Sequence, residues 1–180
     1  MCIFLEEENS ENSWRVFGEA TNETGGSQEE VEVKVTFFAA DGSSVAGDVG
    51  YILTDIMPAG TTLPFDIMVE SRVAPAEYKF DISSIPGEIT PQDLQVTNTQ
   101  LTYVEDELVV TGQVHNPGPD LFDHAELIAT LYNEQGAVVA VGYGSVWAED
   151  LGVSASAPFT ISTVGLFHLA TDCVVVALGF

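Results

Sequence analysis

Basic side chains are nearly missing from this sequence: four Lys and Arg stand against 28 Asp and Glu, giving a net charge of −24 over 180 residues. A surface of that sign repels phosphate backbones and anionic headgroups, so binding to nucleic acid or to an anionic lipid surface is disfavoured and no nucleic-acid partner is expected. It suits a cation, a salty medium that screens self-repulsion, or the solubilising exterior of an exported protein. Cysteine is almost as scarce. Cys2 and Cys173 are too few for a disulfide scaffold and pair only if the chain ends meet. No apolar run reaches the roughly 18 residues of a membrane span, and direct membrane insertion is not expected. The opening MCIFLEEEN lacks both the basic start and the long apolar core of a signal peptide. The expectation is either a chain kept inside the cell or the mature or shortened form of a longer product.

Reaction motifs are missing too. No Ser lies in a Gly-x-Ser-x-Gly turn, no glycine loop precedes a Lys to cradle phosphate, and no carboxylate spacing marks an acid/base couple. An enzyme is not expected, nor is a cofactor.

What the chain does have is a repeat. TLPFDIMV, residues 62–69, and SAPFTIST, residues 156–163, share a Pro-Phe-x-Ile core at an offset of 94. Slid onto itself by that offset, the chain places Gly18 on Gly112, Asn22 on Asn116, Thr36 on Thr130 and Gly42 on Gly136. Val45-Ala46 falls on Val139-Ala140, Gly50 on Gly144, Pro64-Phe65 on Pro158-Phe159, and Ile67 on Ile161. These ten identities in fifty gapless positions exceed the roughly three that background frequencies of about 6–7% would give. Two copies of one unit follow.

Each copy is patterned for strands. Val31, Val33, Val35 and Phe37 alternate with Glu32, Lys34 and Thr36, and the second copy keeps the period with Ala125, Leu127, Ala129 and Leu131. WRVFGEA and LVVTGQV end at Asn22 and Asn116, which open turns through side-chain contact with the backbone. Gly42 and Gly136 sit where a hairpin needs positive φ. Pro64 and Pro158 open strands whose Phe and Ile share one face. No stretch shows a sustained 3.6 period, so the expected fold is all-β: two tandem immunoglobulin-like β-sandwich domains at 1–85 and 93–180. The stiff Pro/Gly segment 86–92, with Pro86, Gly87 and Pro91, is the expected linker.

Each copy resembles the FxLYD domain, an immunoglobulin-like module of prokaryotic extracellular and envelope proteins. The resemblance rests on Gly112, Val114 and Asn116, then Ala129-Thr130-Leu131-Tyr132-Asn133, with Pro158-Phe159; the first copy has Gly18, Ala20 and Asn22, then Val35-Thr36-Phe37-Phe38-Ala39. Neither copy carries Phe-x-Leu-Tyr-Asp in full. The resemblance covers nearly the whole chain and implies an exported, non-catalytic module at the cell surface, with no catalytic residues to carry over.

Candidate side chains are weighed by the same repeat. Trp14 and Trp147 fall on Leu108 and Leu53, and Tyr132 and Tyr143 on Phe38 and Val49, which reads as core rather than as sugar-stacking platforms. HNPGPDLFDH, residues 115–124, gathers His115, Asp120, Asp123 and His124, yet meets no zinc or calcium template and reads as a solvated loop. Glu6-Glu7-Glu8 and Glu105-Asp106-Glu107 read as exposed strand approaches, with weak calcium binding left open. Cys2 falls on Val96, inside an expected strand, so a lipid-bearing start does not fit and the first copy is expected to begin partway through that strand.

The copies differ in the last strand. YKFDIS, residues 78–83, alternates dry and wet, whereas the aligned DCVVVA puts Cys173, Val175 and Ala177 where the first copy is polar. The expectation is an apolar outer face there, covered by the other domain, a second chain or a partner. The expected function is an extracellular structural or interaction module acting by protein contact or self-association. The alternative is a ligand-binding module for glycan or calcium.

Overall fold

The computed structural model describes residues 4–8, 13–104, 107–165 and 167–180, with only the backbone for 4–8 and 167. Cys2, Glu105 and Asp106 lie outside this set, and with them the questions of a Cys2–Cys173 bridge and of that acidic run. Among the described residues the chain is all-β apart from two short 3-10 turns, Ala148–Asp150 and Phe167–Leu169. It divides into two compact units, residues 1–88 and 89–180.

The first unit holds β1 (Phe4–Glu8), β2 (Ser13–Thr21), β3 (Gln28–Phe38), β4 (Ser44–Tyr51), β5 (Ile56–Met57), β6 (Thr62–Glu70) and β7 (Glu77–Pro86). One sheet runs β1-β2-β6; in the other, β3 pairs with β4, β5 and β7. Val16, Phe65, Ile67 and Val69 of the first sheet share a core cluster with Val33, Val35 and Phe37 of the second. The period of two in β3 directs those three residues inward, as burial of one strand face requires. Glu6, Glu7 and Glu8 lie within β1, opposite Arg15, Trp14 and Ser13, rather than ahead of a strand.

The second unit holds β8 (Gln92–Asp93), β9 (Gln95–Val104), β10 (Glu107–His115), β11 (His124–Tyr132), β12 (Val138–Trp147), β13 (Ser156–Gly165) and β14 (Asp172–Gly179). All seven form one sheet, β8-β14-β11-β12-β13-β10-β9. It curls, because β9 and β14, far apart in that order, come together, and the Leu94 amide donates to the Ala177 carbonyl at 3.2 Å. Its core draws on nearly every strand, with Leu108, Val110, Leu127, Leu131, Phe159 and Ile161 buried together. The expected linker 86–92 is shorter: Pro86 closes β7 opposite Gln28 and Gln92 opens β8, leaving 87–91 as the connection.

The repeat identities are packing contacts. A Cβ on Gly18 would stand 2.4 Å from the Phe65 ring, and one on Gly112 2.6 Å from the Phe159 ring, so the tip of each Phe ring occupies the space left by a glycine of the neighbouring strand. Gly50 and Gly144 are likewise pressed against Ile67 and Ile161. Asn22 and Asn116 are buried knots. The Asn22 amide nitrogen donates to the Gly26 and Met57 carbonyls, and that of Asn116 to those of Pro119 and Leu151. Met57 and Leu151 are themselves 94 apart.

The last strand corrects the sequence reading. Val33 faces Ile82 and Phe37 faces Tyr78, while Leu127 faces Ala177 and Leu131 faces Cys173. β7 and β14 are therefore related by 95 residues, not 94. One extra residue ahead of β14 exchanges its faces, since side chains alternate across a strand. Cys173, Val175 and Ala177 consequently point inward, packed on or within the core, and take the places of Tyr78, Phe80 and Ile82. They are not an outer face. The outward set is Val174, Val176 and Leu178, of which Val174 is 51% exposed and Leu178 buried. Burial also raises the pKa of the Cys173 thiol, with the Asp172 charge adding to the effect.

Candidate functional site

The aromatic side chains that the sequence reading assigned to the core separate in the structure. Trp14 packs against the first core and its indole N–H donates to the Ser71 carbonyl at 3.2 Å. Trp147 is 61% exposed and Tyr143 is exposed, so for these two the core reading is wrong. Trp147 is the last residue of β12, and its repeat partner, Leu53, follows the end of β4; an end position allows either inward or outward placement. Apolar identity in both copies did not distinguish the two.

Around Trp147 the backbone is tied tightly. His124 opens β11 directly opposite it. The Phe122 and Asp123 amides both donate to the Phe180 carbonyl, at 2.8 and 2.9 Å, the Phe180 amide donates to the His124 carbonyl, and the Ala148 amide donates to the Asp123 carbonyl. These bonds gather 122–124, 147–148 and 180 into one rim. On it the His124 ring stacks on Phe180 at 5.6 Å between centroids and tilts against Trp147 at 6.1 Å. Phe122, by contrast, is held by its backbone with its side chain 98% exposed. An apolar ring left entirely in water on a fixed backbone is the least expected feature of the unit.

Carboxylates surround these rings. Asp123 Oδ2 lies 3.0 Å from His124 Nδ1, and Glu126 Oε1 accepts from the Tyr143 hydroxyl at 3.2 Å. Trp147 separates two open clefts. One, of about 470 Å³, is lined by Phe122, Asp123, Ala148 and Glu149; the other, of about 430 Å³, by Ser145, Asp150, Ser156 and Pro158. The first copy has Gln28, Glu29, Glu30 and Leu53 at the positions of Phe122, Asp123, His124 and Trp147. Its own cleft, about 450 Å³, is lined by Glu30, Glu32, Tyr51 and Ser83–Ile85. The stacked histidine and the exposed Phe/Trp pair belong to the second copy alone.

The 115–124 loop does not converge on a metal. His115 Nδ1 lies near the Ala155 carbonyl and Ser156 Oγ, Asp120 accepts from the Val153 amide, and the Asp123–His124 contact points to another part of the rim. Among the described residues no three His, Cys, Asp or Glu side chains are grouped to hold a cation. No described helix is long and apolar enough to cross a membrane.

No family model matches the sequence, and no curated protein matches it. Among solved structures the chain is similar to a β-glucuronidase from glycoside hydrolase family 2, at 11% identity and a TM-score of 0.31. The match covers 89% of this chain and 21% of the glucuronidase, so the chain spans about a fifth of that protein's length.

Proposed function

We propose that the chain is a non-catalytic interaction module of an extracellular or cell-surface protein, built from two immunoglobulin-like, FxLYD-like β-sandwich repeats. Its protein contact lies at the Phe122–Trp147 end of the second unit. The observation that carries this reading is the pair of exposed rings on a backbone-knitted rim, absent from the first copy. Rigid aromatics supply contact area at small entropic loss, and they dominate the centres of protein interfaces. The sandwich reading is supported by the core shared between facing strands and by the glycine–phenylalanine contacts at equivalent places in both units. A second reading, glycan binding, is favoured by the clefts on either side of the indole.

The test is the double variant Phe122→Ser/Trp147→Ala. If the rings are present for contact, its folding stability stays within about 0.5 kcal/mol of the parent, as for surface changes remote from packing. A loss of about 2 kcal/mol or more would make the rings structural and remove the basis of the reading.

A further inference from the structure

The charge around Trp147 selects what can dock there. Residues 89–180 contain eleven Asp and Glu and no Lys or Arg. The two clefts are lined by Asp123, Glu149 and Asp150 and by no Lys or Arg; of the histidines near them, His124 lies beside Asp123 and 3.8 Å from Glu126, and His115 lies beside Ser156. Two copies meeting through this end would oppose like carboxylates with no Lys or Arg from either second unit, so self-docking there is disfavoured. Anionic ligands are repelled for the same reason. A neutral sugar would use the indole face and gain nothing from the field. A guanidinium or ammonium group gains from both parts of the site: the ring faces attract it through their quadrupoles, and the flanking carboxylates accept its hydrogen bonds.

We infer that the Phe122–Trp147 end is a docking site for an arginine- and lysine-bearing segment of a partner protein, laid across Trp147 with its cations beside Asp123, Glu149 and Asp150. This rests on the reading that the end is a contact surface. The acidic field of the whole chain raises the encounter rate, and the rings give the complex its place.

The test is calorimetric titration with acetylated, amidated hexa-arginine at about 0.15 M salt, a concentration that screens distant charge. Trp147→Ala should weaken binding about fivefold, within the range of a cation–π contact. Asp123→Asn/Glu149→Gln should weaken it at least as much. Glu134→Gln/Glu77→Gln, an equal loss of charge elsewhere on the surface, should change it less than about twofold. Equal weakening by both pairs, or indifference to Trp147→Ala, would reduce the effect to bulk charge and overturn the inference. Neutral oligosaccharides that bind in a Trp147-dependent and salt-insensitive way would overturn it while leaving the contact surface in place. A dimer by light scattering that Trp147→Ala dissolves would do the same in favour of a second copy. Failure of the contact reading itself is seen separately, as instability of Phe122→Ser/Trp147→Ala.

Discussion

The two units use one repeat to reach different closures. In the first, an isolated bridge joins Ile52, just past the end of β4, to Phe65 of β6, and two sheets result. In the second, the equivalent β12 and β13 pair over Ala140–Tyr143 and Ser162–Gly165, and one sheet curls round the core. The copies also differ in the residue at the seam. A Cβ on Gly142 would stand 2.6 Å from Ile161 Cγ2 and 2.8 Å from the Ser162 carbonyl oxygen, so a strand can approach only because no side chain is there. The first copy has Asp48 at that place. The first copy thus carries a side chain where the second has none, and its strands are not paired there.

The strongest challenge to the equivalence of the units is removal of their buried asparagines. Asn116 is fully buried; its side-chain oxygen accepts from the Gly118 amide and the Gln92 side chain, and its nitrogen serves Pro119 and Leu151. Asn116→Ala should destabilise the second unit by about 3 kcal/mol, since several buried groups lose partners worth about 1–3 kcal/mol each and water recovers part of the loss. Asn22→Ala should cost the first unit less, about 2 kcal/mol, because Thr24 and Gly26 are exposed and can turn to water. Urea unfolding followed by hydrogen exchange in each unit separately measures both. Equal losses would mean that the Gln92 link adds nothing.

Next in size is the seam. Gly142→Asp, which installs the first copy's residue, should cost about 2 kcal/mol by overpacking. It should also speed amide exchange at Val141 and Tyr143 while leaving β11 protected. If exchange there is unchanged, glycine is not what permits closure.

These features differ in how far the sequence announces them. The repeat was readable between Gly18 and Ile67 because contacting pairs, Gly with Phe and Gly with Ile, lie inside the gapless stretch and must vary together. The strand alternation was readable because burial on one face imposes it. The faces of β14 were not, since the extra residue falls between β13 and β14, where no identities mark it, and a shift of one exchanges every side chain. Closure of the second sheet had no clearer signal at its seam than Gly142 falling on Asp48. The exposure of Trp147 was hidden because composition at a strand end does not state direction. The one signal for the rim was that Phe122, His124 and Trp147 fall on Gln28, Glu30 and Leu53, three differences that gather at one place only after folding.

The hairpin turns offer a comparison in pH. In the first unit the Asp41 carboxylate accepts from the Ser43 amide and hydroxyl, and these bonds hold its pKa below the usual carboxylate range. In the second, Asn133 does similar work without charge, accepting from the Gln135 and Ala137 amides. A depressed folded pKa means that the Asp41 contribution is complete above the ordinary carboxyl range and is lost as pH falls through the lower folded value. The Ser43 amide resonance should therefore titrate in acid with the Asp41 carboxyl, whereas the Ala137 amide, held by the uncharged Asn133, should show no titration from its acceptor. A Ser43 shift centred at an ordinary carboxyl pKa would remove the assigned bond.

The smallest effect isolates one backbone angle. Gly60 adopts φ 77° and its amide donates to the Asn22 carbonyl; at the equivalent place Ser154 adopts φ 57° and donates to the Asn116 carbonyl. Both units require a left-handed residue to close the asparagine knot, and only one uses the residue that adopts it without a Cβ penalty. Ser154→Gly should stabilise the second unit by about 0.5 kcal/mol, the relief of left-handed strain less the greater freedom glycine has when unfolded. Gly60→Ser should destabilise the first by about 1 kcal/mol. Thermal unfolding of the two exchanges gives the sign directly. If both variants lose stability, Ser154 makes a compensating contact that Gly60 does not need, and the knots are equivalent in geometry but not in energy.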